Sequence, residues 1–190
     1  IQKADNAKSQ KEAIKANEMR DSDIPQVEQN NRADIDKARA LNPYTPPMGG
    51  FCEDSQIREA FANYLKYHVV NKAGKPKGFA DTTVYDYCSR IKVLWEICYR
   101  NFEKGKLESI SFEKNVISGK TFLNAYNNIE ILSAYIDSKK EELAKIETGK
   151  RQPFTQEELR DNLLNNARNL ANTIAAFERF KEFKKNIENN

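Results

Sequence analysis

The chain of 190 residues contains little histidine, cysteine or glycine, and each shortage excludes a class of protein. It has one histidine and three cysteines without a C-x-x-C pair, so an ordinary zinc site would lack ligands. The nucleotide-binding loops G-x-x-x-x-G-K-[ST] and G-x-G-x-x-G do not occur. No run of apolar residues approaches the 18 or so that a membrane-spanning helix needs, so an integral membrane protein is excluded.

The single histidine, His68, also restricts catalysis. A Ser-His-Asp or Cys-His system would have to use this residue, and a di-metal site of the ferritin type needs two histidines. Carboxylates are plentiful, but pairs such as Glu141–Glu142 and Glu157–Glu158 occur in ordinary helical charge patterns. We therefore expect no enzymatic activity in this chain, and neither a cofactor nor a metal.

The three cysteines predict reduced thiols. Cys88 and Cys98 fall within one predicted helix, about 15 Å apart along its axis, which is too far for a disulfide. Together with Cys52 they are typical of buried, reduced cysteines in a cytoplasmic protein.

The first 50 residues differ in composition from the rest. They contain eight basic and eight acidic residues and few large apolar ones. Helices are possible over residues 3–20 and 30–41, but neither has an apolar stripe wide enough to pack firmly. The proline-rich segment 42–50 predicts an extended linker. We expect residues 1–50 to form a mobile, partly helical N-terminal arm, and residues 51–190 to form the folded domain.

From residue 51 onward, apolar residues recur at helical spacing. This periodicity predicts helices over about 54–70, from 81 to about 104, from 120 to about 148, and from 155 to about 187. An exposed basic loop, residues 71–80, connects the first two. No stretch shows sustained strand alternation. The predicted fold is all-α, a compact bundle of four main helices.

Local signals support these boundaries. Asp81, Thr82 and Thr83 are candidate N-caps of the second helix. Thr155 and Glu158 have the spacing of a capping box at the start of the last helical region. The asparagine-rich stretch 162–172 predicts a bend or break in that region. Trp95 and Phe177 lie on the apolar stripes of their helices and are expected in the core. Phe61, Ile91 and Phe180 lie on the same kind of stripe.

The formal net charge is only +3, but the positive charge is unevenly distributed. Residues 58–106 hold ten basic and five acidic residues, and residues 150–190 hold eight and six. The segment between them, 107–149, has an excess of two acidic residues. Basic side chains interspersed with hydroxyl, amide and tyrosine side chains suit contact with phosphates. A solvated helical surface of ordinary composition is the alternative explanation.

The order of three motifs resembles the N-terminal core-binding domain of tyrosine recombinases and phage integrases. Phe61-x-x-Tyr64-Leu65 lies on the first predicted helix, and 81–91 (DTTVYDYCSRI) opens the second. The stretch 169–180 (NLANTIAAFERF) lies on the last. The resemblance covers about residues 55–187. It implies a four-helix bundle that clamps one face of double-stranded DNA, without the recombinase catalytic domain.

The resemblance implies DNA contacts from the basic loop, the start of the second helix and the last helix, where the helix dipole also favours a phosphate. Capping by the threonines, packing of the tyrosine and simple solvation of the arginines are the competing explanations. The candidate residues are Lys75, Lys77, Thr82, Thr83, Tyr85, Arg90, Arg168, Asn172 and Arg179.

Two functional hypotheses follow from the sequence, beside the remaining alternative of a catalytic protein of unrecognised type. The first is a double-stranded DNA-binding module of a recombinase, integrase or DNA-modifying system, cytoplasmic and joined to a catalytic domain or a protein partner, without contact with membranes. The second is a helical protein-interaction domain, such as a phage-encoded inhibitor or a regulatory or structural subunit. The modest net charge and the acidic third helix favour the second hypothesis.

Overall fold

The computed structural model describes residues 32–71, 74, 76–103 and 116–189. The chain divides into two units, Ile1–Asn42 and Pro43–Asn190. In the first unit, residues 32–41 form helix α1, close to the predicted helix 30–41. The side-chain amide of Asn42 closes the last turn of α1 by donating to the carbonyl oxygen of Ala38, 2.7 Å away. The helix predicted over residues 3–20 lies outside the described residues.

The second unit is built from helices, as the sequence predicts. Its four longest described helices, which begin at Asp54, Asp81, Ile129 and Ala167, form the bundle. The only extended pairing in the described part of the chain is an isolated bridge between Val70 and Pro76. The all-α prediction is confirmed. The helices are α2 (Asp54–Asn63), α3 (Asp81–Glu103), α4 (Thr121–Asn127), α5 (Ile129–Glu147), α6 (Gln156–Asp161) and α7 (Ala167–Glu188).

Three of the predicted helices are interrupted: the first, the third and the last. After α2 the chain continues as a wider π-helical turn, Tyr64–His68, where the sequence predicts α-helix to residue 70. Asn128 separates α4 from α5, where one helix was expected; its side chain donates to the Asn124 carbonyl oxygen at 2.8 Å. Asparagine side chains compete with the helix for backbone hydrogen bonds, which explains the break at Asn128.

The predicted break in the last helical region is confirmed at its asparagines. The side chain of Asn162 accepts from the Leu164 N–H after α6. The side chain of Asn166 then caps α7 by accepting from the N–H groups of Arg168 and Asn169. These bonds satisfy backbone donors that an ending or starting helix leaves open.

Helix α3 begins earlier than its predicted cap. Its first residue is Asp81, so Thr82 and Thr83 lie inside the first turn and are not N-caps. The Val84 N–H bonds to the carbonyl oxygen of Ala80, which therefore holds the position before the helix. Asp81 instead pairs with Lys66 of the π-helical turn, and its carboxylate raises the pKa of this half-buried lysine.

Aromatic and aliphatic side chains from all four long helices form one core. Trp95 is 4% exposed and Phe177 is 1% exposed, as predicted. Phe61 of α2 meets Phe180 of α7 edge to face, with ring centroids 5.0 Å apart, and Phe183 lies beside both. Each such aromatic pair adds about 0.5–1.5 kcal/mol beyond its buried area.

Two of the three cysteines are buried in this core. Cys88 and Cys98 are free thiols, and burial raises their pKa to about 11 and about 12. Neither is therefore a reactive thiolate at neutral pH. Cys52 is exposed, which corrects the expectation that all three are buried.

The segment 43–50 is not helical, as predicted, but it is not extended throughout: the Gly50 N–H closes a turn on the Pro47 carbonyl oxygen at 2.9 Å. The segment belongs to the second unit. The Tyr44 ring packs against Tyr64 and His68, at centroid distances of 5.4 and 4.6 Å. The Asn63 amide donates to the carbonyl oxygen of Pro43 at 3.1 Å. The boundary between the units therefore falls between Asn42 and Pro43 rather than at residue 50, because a tyrosine docks the segment on the bundle.

The capping box at α6 predicts a pH dependence of stability. Thr155 donates its backbone N–H to the Glu158 carboxylate at 2.7 Å, and this bond lowers the pKa of Glu158. A lowered folded-state pKa stabilises the fold above the unfolded pKa, and that contribution is lost as pH falls through the folded value. In urea unfolding between pH 7 and pH 3, Glu158→Gln should lose less stability on acidification than the parent. The exposed control Glu141→Gln should follow the parent; equal pH profiles for both variants would contradict this assignment.

Candidate nucleic-acid interface

An open groove of about 630 Å³ runs between the loop after the π-helical turn and the outer face of α7. It contains four basic, two acidic and two aromatic side chains. We call it the Lys77–Arg179 groove, after the two candidate residues that it brings together. Its lining is Lys77, Phe79, Tyr87, Ala175, Glu178, Arg179, Lys181, Glu182 and Lys185.

Backbone hydrogen bonds hold the loop in place beside the π-helical turn. The Lys77 N–H donates to the Val69 carbonyl oxygen at 2.7 Å, and the Phe79 N–H donates to that of Leu65 at 3.1 Å. Between them, a Cβ atom at Gly78 would clash with the Lys66 carbonyl oxygen. Glycine therefore permits the close approach that fixes the positions of Lys77 and Phe79.

The Phe79 ring joins the loop to α3 and α7. It lies 5.5 Å from the Tyr87 ring of α3, between centroids. The Lys77 ammonium lies 5.7 Å from the Phe79 centroid, and the Arg179 guanidinium carbon lies 5.8 Å from it. These distances are within the range of cation–π attraction. Two cations about 100 residues apart in sequence thus meet at one aromatic ring.

Two of the four cations have carboxylate partners inside the groove. Arg179 pairs with Glu182 at 2.5 Å, and Lys181 pairs with Glu178 at 2.7 Å. Lys77 and Lys185 have no carboxylate within 4 Å among the described residues. Since the groove holds four cations and two carboxylates, its formal charge is positive.

A buried tyrosine supports the groove from beneath. Tyr64, in the π-helical turn, is 2% exposed and accepts from the Asn186 amide at 3.2 Å. Burial and the neighbouring Glu182 carboxylate raise the pKa of Tyr64, so its hydroxyl stays protonated and can donate to Glu182. The carboxylate that holds Arg179 is thus itself held by the core.

Of the nine candidate residues, the structure brings two together in the groove. Lys77 and Arg179 line it as described above. Arg90 lines a separate crevice formed by α3, α7 and the segment that joins α6 to α7, together with Asn169 and Thr173. Its guanidinium bonds to Asp86 at 2.7 Å and its side chain is 22% exposed, so a phosphate would have to displace that carboxylate.

The remaining candidates are more scattered. Tyr85 is 68% exposed, but it lines a third crevice with residues of α2 and α4, on another face of α3. Thr82 is exposed in the first turn of α3, and Thr83 beside it is half-buried. Arg168 and Asn172 are exposed on α7 and share a helical face with Arg179. The other candidate, Lys75, lies outside the described residues.

The sequence analysis did not identify four of the basic and aromatic lining residues: Phe79, Tyr87, Lys181 and Lys185. The spacing of Lys181 and Lys185, one helical turn apart and next to Arg179 in sequence, was a detectable signal. No sequence signal identified the two aromatic residues, because a half-buried aromatic residue recurs at the same helical spacing as a core residue.

Comparisons of the chain with protein-family models, with curated proteins and with solved structures give no match. In the described part of the chain, no group of three or more histidine, cysteine, aspartate or glutamate side chains is arranged to hold a metal ion. Nor does any described helix have the length and apolar character needed to cross a bilayer.

Proposed function

We propose that this chain is a double-stranded DNA-binding module, whose Lys77–Arg179 groove contacts the phosphate backbone. The observation that carries the proposal is the meeting of Lys77 and Arg179 at the Phe79 ring. Lys181 and Lys185 extend the same positive surface along α7. Arginine and lysine contacts to phosphates supply most of the affinity of proteins that bind DNA without regard to sequence.

Each groove residue has a distinct part in this proposal. Lys77 and Lys185, which have no carboxylate partner among the described residues, neutralise phosphates directly. Arg179 exchanges its bond with Glu182 for a phosphate oxygen, and Phe79 and Tyr87 hold the loop against the bundle while it does so. Asn172 and Arg168, on the same face of α7, add uncharged and charged donors beyond the groove.

The proposal extends to a recombinase-, integrase- or DNA-modifying system. Its support is the resemblance of the motifs. Their apolar residues lie in the core: Phe61, Tyr64 and Leu65 from the first motif, and Phe177 and Phe180 from α7. In this scheme the chain acts in the cytoplasm beside a catalytic domain or a protein partner, and the motif residues build the scaffold that presents the basic loop.

A second candidate function is a protein-interaction domain. The observation that favours it is the presence of Glu178 and Glu182 among the cations of the groove. A surface with both signs of charge suits a partner with a matching charge pattern. Such a partner, unlike DNA, would contact the carboxylates as well as the cations.

The experiment that tests the proposed function is a fluorescence-anisotropy titration with labelled duplexes of several unrelated sequences. We expect similar affinities for all of them, and a linear fall of log K with log salt concentration, because phosphate contacts carry no sequence information. Absence of duplex binding at low ionic strength would reject this function and leave the protein-interaction domain.

A further inference from the structure

A second cleft lies between the C-terminal part of α3, the middle of α5 and the segment that leads into α6. Its volume is about 220 Å³, and it shares no residue with the Lys77–Arg179 groove. Most of its side chains are polar. Those that matter for its chemistry are Arg100, Asn101, Tyr135, Ser138, Lys139 and Arg151.

The Tyr135 hydroxyl is fixed at the base of the cleft. The tyrosine is 1% exposed, and its oxygen accepts from the amide of Asn162 at 2.7 Å and from that of Asn101 at 3.2 Å. A phenol oxygen with two donors bound to it has only its proton left to offer. Burial raises the pKa of Tyr135, so this proton stays in place at neutral pH. The cleft therefore holds a preoriented hydrogen-bond donor.

Arg151 contributes a nitrogen that has no partner. Its guanidinium stacks on the Phe154 ring at 4.1 Å, and Nη2 bonds to Glu158 at 3.2 Å. Nη1 is buried and has no hydrogen-bond acceptor. Among the described residues, no other buried side-chain nitrogen or oxygen lacks a hydrogen-bond partner. Buried polar groups in native proteins are nearly always paired, so an orphaned charged donor at a cleft indicates a missing acceptor. The side chain as a whole is 33% exposed and lines the cleft.

The carboxylates at the cleft are already engaged or face solvent. Lys139, whose side chain is 11% exposed, holds Glu142 at 2.6 Å. Glu158 accepts from the Thr155 N–H and from Arg151. Asp161 is exposed to solvent. With Glu142 and Glu158 engaged, the charged groups left to meet an anion in the cleft are Arg100 and Arg151, beside the solvent-facing Asp161.

We propose that this cleft binds a phosphate group, as inorganic phosphate or as a phosphomonoester. Arg100 and Arg151 supply the positive charge, and the hydroxyls of Tyr135 and Ser138 supply uncharged hydrogen bonds. Arg100 is exposed and has no carboxylate within 4 Å among the described residues. Four donors from three segments of the chain suit a tetrahedral oxyanion with two charges better than a planar carboxylate. The inference stands independently of the DNA-binding proposal.

The test is isothermal titration calorimetry with inorganic phosphate, O-phosphoserine and a nucleoside 5′-monophosphate, each against sodium chloride at equal ionic strength. The three phosphates distinguish a free ion from a phosphorylated side chain or a nucleotide as the natural source. A thermal unfolding curve gives a second readout. At a phosphate concentration ten times the Kd, the Tm of the protein should rise by about 3–6 °C. Acetate, which offers fewer acceptors, should bind more weakly. Neither heat nor a Tm shift with any of the phosphates would overturn the proposal.

Variants locate the binding. Arg151→Gln and Arg100→Gln should each weaken phosphate binding about tenfold or more, since each removes a charged hydrogen bond. Arg100 is exposed, so its variant remains informative if Arg151→Gln does not fold. The control Lys145→Gln removes one exposed positive charge of α5 outside the cleft and should change the Kd less than twofold. Equal losses in the control, or a loss only in Lys77→Ala, would contradict this site.

Discussion

Trp95→Ala should lower the free energy of unfolding by about 3–5 kcal/mol, as is typical when a large aromatic side chain is removed from a core. Trp95 lies in the middle of α3, is 4% exposed, and stacks on Tyr99 with ring centroids 5.8 Å apart. A cavity there would loosen the packing of α3, the longest described helix, on its neighbours. Because folded domains are stable by only about 5–15 kcal/mol, the variant should unfold at a much lower urea concentration than the parent.

The matched control for this variant is Tyr85→Ala. Tyr85 is an aromatic residue of the same helix, but it is 68% exposed. Its removal should change the free energy of unfolding by no more than about 0.5 kcal/mol. Similar urea midpoints for the two variants would show that α3 does not bury Trp95.

The double variant Lys77→Ala/Lys185→Ala should flatten the salt dependence of duplex binding. Each lysine that contacts a phosphate contributes about 0.9 to the slope of log K against log salt, so the slope should decrease by about 1.8. The loss of affinity should be uniform across duplex sequences. Both side chains are exposed, so folding should be unaffected, as a thermal unfolding curve would verify.

Lys140→Ala/Lys145→Ala is the control of equal charge. It also removes two exposed lysines, but from α5, outside the groove. If the groove contacts the duplex, this control should keep most of the parent slope. An equal flattening in both double variants would mean that the net charge of the protein, and not the groove, determines the binding.

The helices were predictable because their stripes are long and regular. Ile91, Trp95 and Cys98 recur on one face of α3, and all three are buried. The interruption at Asn128 was not predicted, because one asparagine disfavours a helix only weakly and tertiary contacts decide whether the helix continues. The break at Asn162 was predicted because several asparagines cluster there.

The candidate site was only partly predictable. Lys77 and Arg179 were each identified by charge and motif, but their meeting depends on the position of the Phe79 ring. That position follows from the hydrogen bond to Leu65 and from the close approach of Gly78 to Lys66, neither of which leaves a local sequence pattern. The cleft at Tyr135 likewise depends on contacts between distant segments.

The most direct test of the DNA-binding account is a titration of the isotope-labelled protein with an unlabelled duplex, followed by amide chemical shifts. The account predicts that the largest shifts cluster at residues 77–80, at Tyr87 and along 178–185, and that they diminish at high salt. Amides of α6, which contributes no residue to the lining of the groove, should move little. Shifts centred on another surface, or no shifts with saturating duplex at low salt, would contradict the account.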